Sequence, residues 1–185
     1  SENALRTYMN AAGSLWGNPS SLHITGQNAK AALEEARARM AALLHCEPRE
    51  VYFTSGGSEA DNWAIKMSAA AMKVKGKTHI ISTVFEHHAV LHTLNALEKD
   101  GFSVTLLPVY DNGIVQLDDL KAAVRPETGL VSVMFANNEI GSVLPIPEIG
   151  AICKEAGVPF HTDAVQAVGH IKINAVSYTH LTLPT

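Results

Sequence analysis

Four short stretches of the sequence carry side chains whose types and spacing could do chemistry together. In "VPFHTDAVQAVGH", residues 158–170, an apolar run passes His161 and ends on Asp163, with Gln166 three residues on. A carboxylate at the end of a buried strand is costly unless a cation or hydrogen-bond donors receive its charge, and no neighbouring Lys or Arg supplies one. "FTSGGSEADN", residues 53–62, places Gly56, Gly57 and Ser58 ahead of a helical pattern. Glycines there permit a tight turn, and the free N–H groups and positive dipole end of the helix favour a phosphate. "FEHHAV", residues 85–90, offers Glu86, His87 and His88, and "FANNEIGSVLPI", residues 135–146, offers Asn137, Asn138 and Glu139.

Each stretch also has a plainer reading. Ser58 and Asp61 spell an S-x-x-D capping box, and Asp163 can N-cap the short segment after it. His88 and His92 stand four apart on a predicted helix with Glu86 nearby, a spacing that can grip zinc. Their order is E-H-H-x-x-x-H, not H-E-x-x-H, and no third ligand follows at a clear spacing, so metal is the lesser reading. Nucleotide signatures are missing. Gly76-Lys77-Thr78 has Ala71 where a P-loop needs its first glycine and precedes a strand, and no G-x-G-x-x-G occurs.

The elements that must hold these residues follow from periodicity. Residues 27–44, 58–73, 88–101, 117–124 and 146–157 read as helices, with Gly101 and Gly157 closing two of them. "EVYFTS", "HIISTV", "FSVTLLPV", "LVSVMF" and "PFHTDA" read as strands. Strands alternating with helices imply a mostly parallel α/β sheet with helices on both faces. Ligands of such sheets gather at the carboxyl ends of the strands. The glycine loop, Glu86-His87-His88, Asn137-Asn138 and Asp163 each fall just after a predicted strand. A phosphate at residues 57–58, His87 over a ring and a carboxylate at Asp163 together describe a site for pyridoxal 5'-phosphate. The cation for Asp163 is then the pyridinium nitrogen, whose protonation makes the ring an electron sink. Gln166 and Asn138 can reach the phenolate oxygen of the ring.

The four stretches, with "WGNPSSLH" at residues 16–23, resemble the successive motifs of the cysteine desulfurases, in the class V aminotransferase group of fold-type I pyridoxal phosphate enzymes. The resemblance runs from about Trp16 to Asn174. It implies that Gly57 and Ser58 bind the phosphate, and that His87 stacks on the ring and assists proton transfer, the catalytic role. It implies that Asn138, Asp163 and Gln166 hold the ring. It further implies conversion of L-cysteine to L-alanine, with sulfur passed as a persulfide to a sulfur-acceptor or scaffold protein for iron–sulfur clusters, and a homodimer when complete. Selenocysteine lyase is the nearest alternative in the same group, and a non-catalytic fragment is the other. The family pattern also includes an opening strand rich in Asn-Ala-Thr, a cofactor lysine in a Ser-x-His-Lys segment beyond the Asp163 strand, and a loop cysteine. None is matched here: Lys172 follows Gln166 too closely, and Cys46 and Cys153 lie outside the motifs. Residues 1–174 are therefore expected to be a partial cofactor-binding large domain, truncated at both ends. Residues 175–185 read as a non-native tail whose "VSYTHL" matches a translated sequencing adapter.

Composition agrees with a globular α/β enzyme. The chain has 185 residues, 46% hydrophobic and 17% charged, with a formal net charge of −4 and no basic block. This argues against a nucleic-acid partner. No apolar run approaches membrane-spanning length, and two isolated cysteines fit a reducing cytoplasm.

Overall fold

The computed structural model describes residues 1–173 and 181–182, which fall into two compact units, Ser1–Tyr52 and Phe53–Thr185. The first unit holds helix α1 (Glu2–Ser14), helix α2 (Ile24–Leu44) and a 3-10 turn, Pro48–Glu50. Helix α1 has no counterpart in the periodicity reading. Its first turn is capped by the Ser1 hydroxyl, which accepts the Ala4 N–H at 3.3 Å. Helix α2 begins three residues before the predicted start because the His23 ring accepts the Gly26 N–H at 3.2 Å. The "GNPSSLH" turn ahead of it is close-packed. A Cβ on Gly17 would lie 2.3 Å from the Thr25 carbonyl oxygen, and one on Gly26 2.6 Å from that of Ser21.

The second unit carries the sheet. Its helices are α3 (Gly57–Lys73), α4 (His88–Lys99), α5 (Leu117–Ala123) and α6 (Ile146–Glu155), each within two residues of its predicted bounds. Its strands are β1 (His79–Thr83), β2 (Ser103–Leu107), β3 (Thr128–Ser132), β4 (Phe160–His161) and β5 (Leu181–Thr182). All pair in parallel, in the order β2-β1-β3-β4-β5. Apart from β5, the tail expected to be non-native lies outside the described residues. Alternation along β1 and β3 sends Ile80 and Leu130 to one face, where they pack with Ile65 and Ala69 of α3 and Val90, Leu94 and Leu97 of α4. Ile81 and Val131 point to the other face and are equally buried. Helices therefore cover both faces, as a parallel sheet requires. Gly101 and Gly157 close α4 and α6 with positive φ of 90° and 63°. The following N–H groups of Phe102 and Val158 reach back to the Leu97 and Cys153 carbonyls at 3.1 and 2.9 Å.

One predicted strand is not formed. "EVYFTS" has the β-branched and aromatic composition of a strand, yet none of its residues enters a ladder. The segment passes from the first unit to the second, with Val51 buried and Tyr52 and Phe53 exposed. Composition measures how well side chains fit a pleated, half-buried surface, and does not supply the neighbouring strand that pairing needs.

Candidate functional site

The β3–β4 ladder continues past the assigned strands. The N–H groups of Val131, Val133 and Phe135 donate to the carbonyls of Pro159, His161 and Asp163 at 3.0, 3.1 and 2.8 Å. The chain thus stays extended as far as Asp163, and strand alternation puts His161 and Asp163 on the same face. Asp163 is 6% exposed. Its Oδ1 accepts the Val165 N–H at 2.9 Å, which turns the chain and leaves Oδ2 for another donor. Burial is the main cause that holds this carboxyl above its usual range. The Val165 N–H opposes that rise, Asp61 adds to it, and His161 and then His87 oppose it.

The glycine loop meets this turn. A Cβ on Gly57 would lie 2.9 Å from Val165 Cγ2, so only a residue without a side chain allows so close an approach without displacing Val165. Helix α3 starts at Gly57, and its N-cap, Gly56, makes no side-chain cap bond. The S-x-x-D box of Ser58 and Asp61 is therefore not formed. Ser58 lies inside the first turn, and Asp61 is drawn into the core toward His161. The nearby carboxylate of Glu59 accepts instead from the Ser55 N–H and hydroxyl, at 2.6 and 2.7 Å. With no side chain capping the helix, its leading N–H groups and the exposed Ser58 hydroxyl face outward.

Ser58 and His87 line one groove of about 380 Å³, together with Asn62, Lys66, His88 and His92. His87 is the N-cap of α4. Its Nδ1 accepts the Ala89 N–H at 3.1 Å, so in the neutral ring Nε2 carries the proton and faces away from the helix. His88 and His92 stack with ring centroids 5.7 Å apart. Glu86, their suggested zinc partner, is turned the other way. Its Oε1 accepts from the Thr83 hydroxyl at 2.7 Å and the Met134 N–H at 2.9 Å. No group of three metal ligands occurs among the described residues. Burial without a cation pushes the Glu86 carboxyl up to about 8, against the pull of those two donors.

Two residues that the sequence reading gave no role hold this end of the sheet together. Glu86 ties the end of β1 to the backbone beyond β3. Asn137 does the same from the other side. Its amide nitrogen donates to the Phe85 carbonyl at 3.0 Å, and its oxygen accepts the Glu139 and Ile140 N–H groups at 2.9 Å each. The signal for both was position, since each follows a strand. Asn138 and Gln166 are exposed, and neither side chain bonds a described residue. The structure thus brings Gly57, Ser58, His87 and Asp163 to one end of the sheet, with Asn138 and Gln166 on flanking turns.

Residues 2–179 match the family model described as aminotransferase class V. The chain is 58% identical over 159 residues to "Cysteine desulfurase IscS" of Clostridium botulinum and 55% identical over 159 residues to the protein of that name from Methanosarcina thermophila. Each alignment covers 86% of this chain, and the chain spans about 40% of the length of these curated relatives. Among solved structures, a "NifS-like protein" superimposes with a TM-score of 0.92 at 36% identity, covering 97% of this chain and 49% of that one. "SspA in complex with cysteine" superimposes with a TM-score of 0.93 at 35% identity, covering 100% of this chain and 53% of that one.

Proposed function

Because the chain belongs to the class V aminotransferase family, we propose that it is the cofactor-binding part of a pyridoxal 5'-phosphate-dependent cysteine desulfurase. In that reading the complete protein takes L-cysteine to L-alanine and hands the sulfur to an acceptor protein, acting as a homodimer in the cytoplasm. One observation carries the proposal: a half-satisfied buried carboxylate, Asp163, lies at the same strand end as an uncapped helix N-terminus, Gly57–Ser58.

The residues present fit the cofactor. The leading N–H groups of α3 and the Ser58 hydroxyl suit a phosphate, and the missing Cβ of Gly57 is the space in which backbone can approach it. Asp163 Oδ2 suits a protonated ring nitrogen, and the cation would in turn return the Asp163 carboxyl toward its charged form. His87, exposed at the mouth of the groove, would cover the ring and hold a proton on Nε2. Asn138 and Gln166 would donate their amide N–H groups to the ring's phenolate oxygen. When bound, the cofactor supplies the electron sink for bond breaking at the substrate's α-carbon.

The lysine that anchors the cofactor and the cysteine that receives sulfur would come from segments beyond residues 1–174. Neither cysteine here is a substitute. Burial pushes the Cys153 thiol up to about 12, and burial followed by the charge of Glu50 raises that of Cys46. The test is to assay residues 1–185 and a relative extended through the lysine and cysteine segments for sulfide and alanine, with cofactor and L-cysteine added. The extended protein should turn over, and the chain as written should not exceed free cofactor. Turnover by residues 1–185 would show that one of its own lysines does the work. An inactive extended protein that still folds would remove the desulfurase reading.

A further inference from the structure

Behind Asp163 lies a second polar pair to which the proposed chemistry assigns no role. His161 and Asp61 are each 1% exposed. His161 Nε2 and Asp61 Oδ1 face each other at 3.5 Å, and among the described residues neither atom has a hydrogen-bond partner. The other ring nitrogen, Nδ1, lies 2.8 Å from the Ser132 hydroxyl. A neutral imidazole beside an ionised carboxylate would leave the carboxylate's charge uncompensated in the core, which is expensive. A proton on Nε2 removes that cost. The Ser132 hydroxyl can accept from Nδ1 as readily as it donates, so it suits an imidazolium.

The groups facing this corner can all be named. From α3 comes Asp61, from β4 come His161 and Asp163, from the loop before α4 comes Glu86, and from the α4 N-cap comes His87. Glu86 already has one oxygen saturated by two donors. We propose that His161 and Asp61 form a buried ion pair whose work is to cancel the Asp61 charge at Asp163, making both of them positioning residues for the ring-nitrogen contact. With the pair intact and Glu86 holding its proton, Asp163 is the one uncompensated negative charge of the corner, and it is left for the incoming cation. This inference rests on the cofactor reading only for the identity of that cation.

Two measurements test it on the chain of residues 1–185. Long-range proton–nitrogen correlation of the labelled imidazoles should show both His161 nitrogens protonated near neutral pH, with His79 as a neutral internal control. A neutral His161 overturns the proposal whatever binds at the site. The second measurement is binding of pyridoxamine 5'-phosphate, which needs no anchoring lysine. In His161→Gln the unshielded Asp61 charge should weaken binding by about tenfold, the equivalent of one pKa unit at Asp163, and move the acid limb of binding to higher pH. Replacing both residues, Asp61→Asn with His161→Gln, should return affinity to within about threefold of the parent, because removing both charges restores the balance. A ring analogue that keeps the phosphate but has carbon in place of the ring nitrogen should bind all variants alike. Should the single variant fail to fold, the double variant decides: parent-like binding and pH profile support the pair, and loss of binding overturns it. A single variant that binds like the parent also overturns it. A parent chain that does not bind pyridoxamine 5'-phosphate removes the cofactor reading, while the imidazole spectrum still decides the pair.

Discussion

Two histidines are buried to the same degree at opposite ends of the same sheet, and they are built for opposite states. His79 opens β1 with Nδ1 and Nε2 each 2.8 Å from a threonine hydroxyl, Thr128 and Thr105. Neutral partners on both nitrogens fit an uncharged ring. Burial, followed by the Arg125 charge, lowers this imidazole to about 4. At the carboxyl end His161 has a hydroxyl on one nitrogen and a carboxylate opposite the other. The amino end of the sheet thus closes its polar groups on one another. The carboxyl end keeps charged groups and leaves Asp163 half-satisfied, which is the arrangement a ligand needs.

Substitutions at the two histidines should separate them. His161→Leu strands the Asp61 carboxylate in the core and should cost about 3–5 kcal/mol in a urea-unfolding midpoint series. A cost equal to that at His79 would erase the contrast. In the extended enzyme, Asp163→Ala should lower turnover on the order of 10²-fold, and by more than it weakens cofactor binding, because the phosphate contacts survive. Near-normal desulfuration would deny Asp163 its role.

His79→Val leaves two threonine hydroxyls unpaired and should cost about 1–3 kcal/mol. It should also change the pH profile. Below 6.5 the unfolded chain takes up a proton that folded His79 refuses until about 4, so stability falls as pH drops through that window. The variant should lose that part of the slope. Glu86→Gln tests the opposite sign. Folded Glu86 keeps its proton to about 8 while the unfolded group releases it near 4.5, so stability declines as pH rises through that window. The amide should remove this decline, at a cost under about 1 kcal/mol in acid, where the carboxyl is already neutral. Smallest of all, Gly57→Ala meets only the yielding Val165 side chain, and should cost under about 1 kcal/mol of stability with a few-fold loss of phosphate affinity.

Much of this was legible in the sequence, for reasons that differ from element to element. Helices α3 to α6 were readable because each has one apolar face and a closing glycine or polar end. The convergence of Gly57, Ser58, His87 and Asp163 was readable because parallel sheets collect whatever follows each strand. Helix α1 was missed because its apolar face is exposed and buries no residue. The EVYFTS strand was over-read because pairing depends on a neighbour that local composition does not reveal. Asp61 was taken for a cap and Glu86 for a zinc neighbour because i,i+3 and i,i+2 spacing is visible in a sequence. The partners each side chain chose, His161 and Met134, lie far along the chain, where spacing gives no hint.

That distance has a consequence for how the protein is made. Asp61 and His161 are separated by 100 positions, and Glu86 finds its second donor 48 residues downstream. On a ribosome adding about 5–20 residues per second, Asp61 emerges roughly 5–20 seconds before the imidazole that neutralises it. During that interval α3 can form and pack on β1 through Ile65 and Ala69, but its first turn cannot close over the sheet without burying a bare carboxylate. The nascent chain should therefore hold the glycine loop open and solvated until β4 is synthesised, so that the corner seals last and in one step.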